Sequence, residues 1–226
     1  VNSAHVWFSR IGMQESLVLF FMMLATWLFL KTLEDARHFY WAVAATGIAM
    51  LMKYTAIVLV PIFSIWCVWQ RRDLLRWPRV LAAGALLAVV VSPVLVYNLM
   101  LYQTRGHFDF QISHLLGQQV AEWQVRPGRD VGSLADRLRD LPLHFAAAYG
   151  PIFTALTVLA LGLGLRIRRQ VDLRFVALSL ACLVALLLGI GPQLWFLAML
   201  APMLALLLAA TLGWAAGERR WVGPAV

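Results

Sequence analysis

The sequence predicts an all-α, polytopic bundle of transmembrane helices, and three observations support that prediction. Hydrophobic residues make up 62% of the 226-residue chain, charged residues only 13%, and the mean hydropathy is +0.77. Apolar runs of about 20 residues, the length that crosses a bilayer, recur along the chain. The basic residues lie in short clusters between those runs, so the net charge of +8 indicates membrane topology and not nucleic-acid binding.

The apolar runs predict about seven spans, the first at positions 11–30. Positions 39–70 contain Lys53 as their only charge. A single helix over this run would be about 48 Å long against a hydrocarbon core of about 30 Å, so we expect two short helices that turn near Lys53. The other spans are predicted at 80–104, at 141–165, and on both sides of a Gly- and Pro-containing break at 189–193 within 175–217.

Arginine clusters at 71–79 and 166–174 predict the cytoplasmic side, which places the N-terminus and a long loop, 101–149, outside. A six-span arrangement of opposite orientation also satisfies most of the charge bias, and the length of 39–70 favours seven spans. Within the loop, Ser133 is a candidate N-cap, and we expect a helix over 134–148 that lies in the membrane interface. The whole of 1–226 is then one transmembrane domain.

The chain begins with Val, and no signal peptide precedes Arg10. We therefore expect a fragment of a longer protein.

Glu15 is the most informative single residue, because it stands at the mouth of the first apolar run. Carboxylates beside a membrane segment are costly and usually mark a functional cavity, whereas a structural buried ion pair is the alternative. Lys53 interrupts the second run and is a candidate phosphate ligand; the alternative is a lysine that snorkels to the interface. Arg10 is either a second cation of the same rim or an interfacial anchor.

In the outer loop, Gln111 and His114 are candidate contacts to a phosphate or an acceptor. The alternative is that the loop's aromatic residues anchor it in the interface while its polar residues face water. The spacing of His107, Asp109 and His114 matches no standard metal site. We therefore expect no metal and no cofactor.

Several motifs occur in an order that resembles a known group of enzymes. They are Arg10-x4-Glu15, Gly47 through Met52-Lys53-Tyr54-Thr55 with Pro61, Pro93 to Tyr97-Asn98, Phe110-Gln111-Ile112-Ser113-His114, and Pro192 to Pro202. This order is similar to that of the GT-C membrane glycosyltransferases of the protein O-mannosyltransferase and lipid A aminoarabinose transferase type, often grouped as family 39. Each motif alone is weak, so the resemblance depends on their order.

The resemblance implies transfer of a sugar from a polyprenyl-phosphate donor to a lipid, glycan or protein acceptor. The reaction would take place at the external face of a membrane, which we expect to be a bacterial inner membrane. In that group the principal catalytic acid lies in the first external loop, upstream of Val1, so the fragment alone is expected to be inactive. Glu15 corresponds to a second acidic position, where Asp is more common.

The residues themselves suit such a reaction. Transfer from a sugar phosphate needs a carboxylate for the acceptor hydroxyl, cations for the departing phosphate and apolar surface for the lipid tail. We therefore assign Glu15 as catalytic and Arg10, Lys53, Gln111 and His114 as substrate- or phosphate-binding residues. Two alternatives stay open: a transporter or flippase with Glu15 and Lys53 as coupling sites, and a non-catalytic membrane subunit.

Overall fold

The computed structural model describes residues 15–109, 112–113, 116, 118, 120, 133–167, 173–190 and 194–215, and all regular structure within these ranges is helical. The long helices are α1 (Glu15–Lys31), α2 (His38–Met52), α3 (Leu59–Gln70), α4 (Trp77–Arg105), α5 (Leu134–Ile167), α6 (Arg174–Ile190) and α7 (Ala201–Ala215). Short helical turns join them at Tyr54–Val58, Arg72–Leu75, Leu194–Leu197 and Ala198–Leu200.

The predicted fold class is confirmed, because the described chain is an all-α bundle with apolar helices of membrane-spanning length. The segments Trp77–Arg105, Leu134–Ile167 and Ala198–Ala215 are long and apolar enough to cross a bilayer. Helix α4 exposes apolar side chains over much of its surface, which suits contact with lipid; among them are Val89, Leu95, Val96, Leu99 and Met100. The total of seven crossings and their orientation stay predictions.

The expected turn near Lys53 is present. Helix α2 ends at Met52, and Lys53 has extended backbone angles, φ −160° and ψ 128°. Its N–H donates to the carbonyl of Ala49 at 2.9 Å, and a 3-10 turn from Tyr54 then leads into α3. The run 39–70 is thus divided into two short helices, and Lys53 lies at their junction.

Helix α2 packs between α1 and α4 through small side chains. Its buried residues are Ala42, Ala45, Thr46, Gly47 and Ala49. Small residues let two helix backbones approach closely, which is how helices associate where lipid removes the usual hydrophobic driving force. The approach is close at Gly47, where an added Cβ would lie 2.7 Å from Cγ1 of Val90 on α4.

The end of α1 opposite Glu15 is tied to the segment before α4. The Arg71 guanidinium donates to the backbone carbonyl of the buried Thr32 and, through two nitrogens, to the carboxylate of Asp73 at 2.8 and 3.0 Å. Arg79 donates to the backbone carbonyl of Asp73 at 3.0 Å. These bonds fix the relative positions of α1, α3 and α4 at the predicted cytoplasmic side.

Helix α5 consists of two helical parts that meet at a kink. Gly150 there has φ 78° and ψ 165°, a conformation that favours glycine, and Pro151 follows it. The first part begins after Ser133, whose Oγ accepts a bond from the Asp136 N–H at 3.2 Å, while Asp136 accepts one from the Ser133 N–H at 2.9 Å. The predicted N-cap and the helix over 134–148 are therefore confirmed, and the kink separates that helix from the following apolar part.

Candidate active site

A buried ion pair joins the two charged residues that the apolar runs contain. The Nζ of Lys53 donates to Oε1 of Glu15, and the two side chains are only 9% and 6% exposed, respectively. Glu15 lies in the first turn of α1, and Lys53 lies at the junction of α2 and the 3-10 turn. Removing either partner of such a pair leaves an uncompensated buried charge, so each residue holds the other in place.

An aromatic ring from a distant part of the chain completes the surroundings of Lys53. Its Nζ lies 4.5 Å from the centroid of the Phe196 ring, which belongs to the turn that precedes α7. The negative face of an aromatic ring attracts a cation, and more strongly where water is excluded. Three separate chain segments therefore meet at the ammonium group: the start of α1, the α2–α3 junction and the segment before α7.

A second group of polar side chains includes Tyr54, the residue that follows Lys53. The Tyr54 hydroxyl donates to Oδ2 of Asp109, and Nδ2 of Asn98 lies 3.2 Å from both the Tyr54 hydroxyl and the same carboxylate oxygen. The Asp109 N–H donates back to Oδ1 of Asn98 at 2.8 Å. Asn98 is only 3% exposed although it stands on an otherwise apolar helix. We call Tyr54, Asn98 and Asp109 the polar cluster.

Asp109 also organises the first residues of the loop after α4. Its Oδ1 accepts a bond from the N–H of Ile112 at 3.0 Å. Ser113 is fully buried, and its Oγ lies within hydrogen-bond distance, 2.9 Å, of both the carbonyl of Phe108 and Oε1 of Gln118. The start of the predicted outer loop is thus fixed against α4.

The five predicted site residues fall into two groups. Glu15 and Lys53 come together, whereas Arg10, Gln111 and His114 lie outside the described residues. Sequence reasoning assigned separate tasks to Glu15 and Lys53 and did not predict that they bind each other. The polar cluster and Phe196 were missed as well. An asparagine, Asn98, within the uncharged run 80–104 was the available sequence signal for the cluster.

The described part of the chain contains no metal site near the pair. No group of three His, Cys, Asp or Glu side chains comes together there. A small apolar cavity of about 20 Å³ lies farther along α1, between Leu19, Met22, Thr26, Leu59, Ser179 and Met203. It has room for about one water molecule, so it cannot hold a sugar or a lipid tail.

Comparison with known proteins adds one match. Residues 3–97 match the family described as dolichyl-phosphate-mannose-protein mannosyltransferase. The match includes Glu15, Lys53 and Tyr54 and covers less than half of the 226 residues. No curated protein and no solved structure matches the chain.

Within residues 3–97 the match agrees with the resemblance that the motifs from Arg10 to Tyr97 predicted. Over residues 3–97 the chain is therefore similar to a mannosyltransferase family. The family indicates glycosyl transfer from a donor of the dolichyl-phosphate-sugar class.

Proposed function

We propose that this protein transfers a sugar from a polyprenyl-phosphate donor to a lipid, glycan or protein acceptor at the external face of a bacterial inner membrane. The observation that carries the proposal is the buried pair of Glu15 and Lys53 within the segment that matches the mannosyltransferase family. A carboxylate and a fixed cation are the two charges that this chemistry requires. The family match favours a transferase over a transporter or a non-catalytic subunit.

The site starts with its charges paired and changes partners when the donor binds. The donor phosphate forms an ion pair with Lys53, whose ammonium stays over the Phe196 ring. Glu15 is then free to accept a hydrogen bond from the acceptor hydroxyl and to orient it. The bond from the sugar carbon to the acceptor oxygen forms as the bond from that carbon to the phosphate oxygen breaks. The hydroxyl proton passes to the Glu15 carboxylate, and Lys53 offsets the charge on the departing phosphate.

The remaining predicted residues extend this site in the proposal. Arg10 lies five positions before Glu15, and we assign it as a second cation for the phosphate. Gln111 and His114 follow Asp109, which is bound to Tyr54, the neighbour of Lys53. This adjacency supports our assignment of Gln111 and His114 as phosphate or acceptor contacts. The lipid tail would lie along the apolar outer surface of the helices.

A binding assay tests the role of Lys53. We expect Lys53→Ala to weaken binding of polyprenyl phosphate to the full-length protein in nanodiscs, and to do so most at low salt, where charge attraction is least screened. Lys31→Ala is the matched control, because Lys31 ends α1, the helix that carries Glu15, is 39% exposed and pairs with Glu34 at 2.9 Å. Equal affinities of wild type and Lys53→Ala would refute the phosphate site.

A transfer assay tests the role of Glu15. Glu15→Gln keeps the shape and removes the charge, and we expect turnover of the full-length protein to fall about a hundredfold. Glu34→Gln removes an exposed carboxylate near the other end of α1 and should leave turnover unchanged. Near-normal turnover of Glu15→Gln would reduce Glu15 to a structural residue.

Cysteine labelling tests the proposed orientation. A cysteine at Gly128, in the predicted external loop, should react with an impermeant reagent added outside intact cells. A cysteine at the exposed Arg76, between α3 and α4, should be protected. The reverse pattern would place the loop inside and exclude the external site.

A further inference from the structure

The polar cluster connects the outer loop to the residue next to Lys53. Tyr54 is supplied by the turn between α2 and α3, Asn98 by α4, and Asp109 by the segment after α4. Asp109 receives bonds from the Tyr54 hydroxyl, Asn98 Nδ2 and the Ile112 N–H, so three donors already occupy its carboxylate. A carboxylate that accepts three hydrogen bonds is held firmly in place and is a strong anchor.

The break in the helix at Lys53 lies next to the residue that Asp109 binds. Lys53 is the single extended residue between the last turn of α2 and the 3-10 turn that starts at Tyr54. The length of the run 39–70 requires a break in the helix, and the contacts of the residues at the break fix its position. The bond from Tyr54 to Asp109 holds the residue after the break, and the ion pair with Glu15 holds the break itself.

We infer that Tyr54 and Asp109 are positioning residues for Lys53: by fixing the break to the outer loop, they place the ammonium where it meets the donor phosphate. The inference rests on the proposed function. The position of the outer loop on α4 and the position of the Lys53 ammonium are then coupled. Loop residues that bind an acceptor would act on the donor site through the same contact.

A double-mutant cycle with polyprenyl phosphate as the ligand tests this coupling. In the full-length protein in nanodiscs, Tyr54→Phe removes the hydroxyl and keeps the ring. We expect its dissociation constant to rise about fivefold, within the range shown by interacting neighbours. Tyr97→Phe is the matched control, because Tyr97 is next to Asn98 on α4 and is 55% exposed. This variant should bind polyprenyl phosphate like wild type.

The decisive measurement is Tyr54→Phe in the Lys53→Ala background. If Tyr54 acts through Lys53, the second substitution should change the affinity of Lys53→Ala by less than about twofold. A purely structural role predicts a loss of affinity of the same size in both backgrounds. Additive effects, or wild-type affinity of Tyr54→Phe in the Lys53-containing protein, would overturn the inference.

The design separates this inference from the proposed function. If Lys53→Ala binds polyprenyl phosphate as well as wild type does, the phosphate site itself fails. If Lys53→Ala weakens binding but Tyr54→Phe does not, only the positioning role fails. Should Tyr54→Phe fail to fold, the same cycle with Asp109→Asn, which keeps the shape and removes the charge, decides the question by the same criterion.

Discussion

Neutralising Glu15 should weaken the fold and strengthen phosphate binding at the same time. The side chains of Glu15 and Lys53 are 6% and 9% exposed, so Glu15→Gln leaves a buried ammonium without its counter-ion. Breaking one side of a buried pair costs about 3–5 kcal/mol. In a protein of this size about 1 kcal/mol shifts the melting temperature by about 2–4 °C, which gives a decrease of roughly 6–20 °C.

The same substitution should raise the affinity for polyprenyl phosphate by about tenfold or more, the scale of close charge-pair couplings. In the wild-type protein the phosphate must take Lys53 from Glu15, whereas in Glu15→Gln the ammonium has no carboxylate to leave. The double variant Glu15→Gln/Lys53→Met removes both charges. It should recover most of the lost stability, because no unpaired charge remains, and should bind the phosphate weakly.

Thermal unfolding and phosphate titration of wild type, Glu15→Gln, the double variant and a control variant in nanodiscs measure both effects. The matched control is Glu34→Gln, which breaks the exposed pair with Lys31 and should cost less than about 1 kcal/mol. A Glu15→Gln protein that is destabilised yet binds phosphate no better than wild type would refute the exchange of partners at Lys53. Unchanged stability would refute the buried pair itself.

Two further predictions concern the fold. Gly47→Ala should destabilise the bundle by about 1–3 kcal/mol, because the new methyl would lie 2.7 Å from Val90 Cγ1. Gly84→Ala is the control and should be neutral or stabilising, because no atom lies within 4 Å of its new methyl. Equal melting temperatures of the two variants would contradict the close α2–α4 contact. The bond from Arg71 lowers the pKa of Asp73 to about 2 from 3.8. The stability that the ionised Asp73 carboxylate adds to the fold is therefore fully present above pH 3.8 and is lost as the pH falls towards 2. The stability difference between wild type and Asp73→Asn should shrink over that interval in thermal melts, and a constant difference would contradict the pairing.

The helices and their breaks could be predicted from the sequence because they follow from local rules. The length of the run 39–70 required a break, and the charge at Lys53 marked its position. Gly150 and Pro151 likewise combine a residue that accepts positive φ with one that starts a helix well. Each of these features depends on a few neighbouring residues and the thickness of a bilayer.

The contacts of the site depend on packing, and the sequence did not reveal them. Glu15 and Lys53 are 38 positions apart, and Lys53 and Phe196 are still farther apart in sequence. Whether these residues meet depends on how distant helices pack against each other, which no local sequence pattern specifies. Asn98 was recognisable as a polar residue in an apolar run, but its partner Asp109 stood in a loop whose path no periodicity describes.

The charge of the site gives Arg10 a definite task. Without a bound donor, the ion pair of Glu15 and Lys53 has no net charge. A bound phosphodiester donor adds one negative charge. An uncompensated negative charge is costly where water is scarce, so a second cation should accompany the donor. Arg10, five positions before Glu15, is the candidate.

Arg10→Gln should therefore weaken donor binding in the wild-type protein and have much less effect in Glu15→Gln, where Lys53 alone balances the phosphate. Equal losses of affinity in both backgrounds, measured by titration in nanodiscs, would show that Arg10 anchors the chain at the interface and does not compensate the charge of the site.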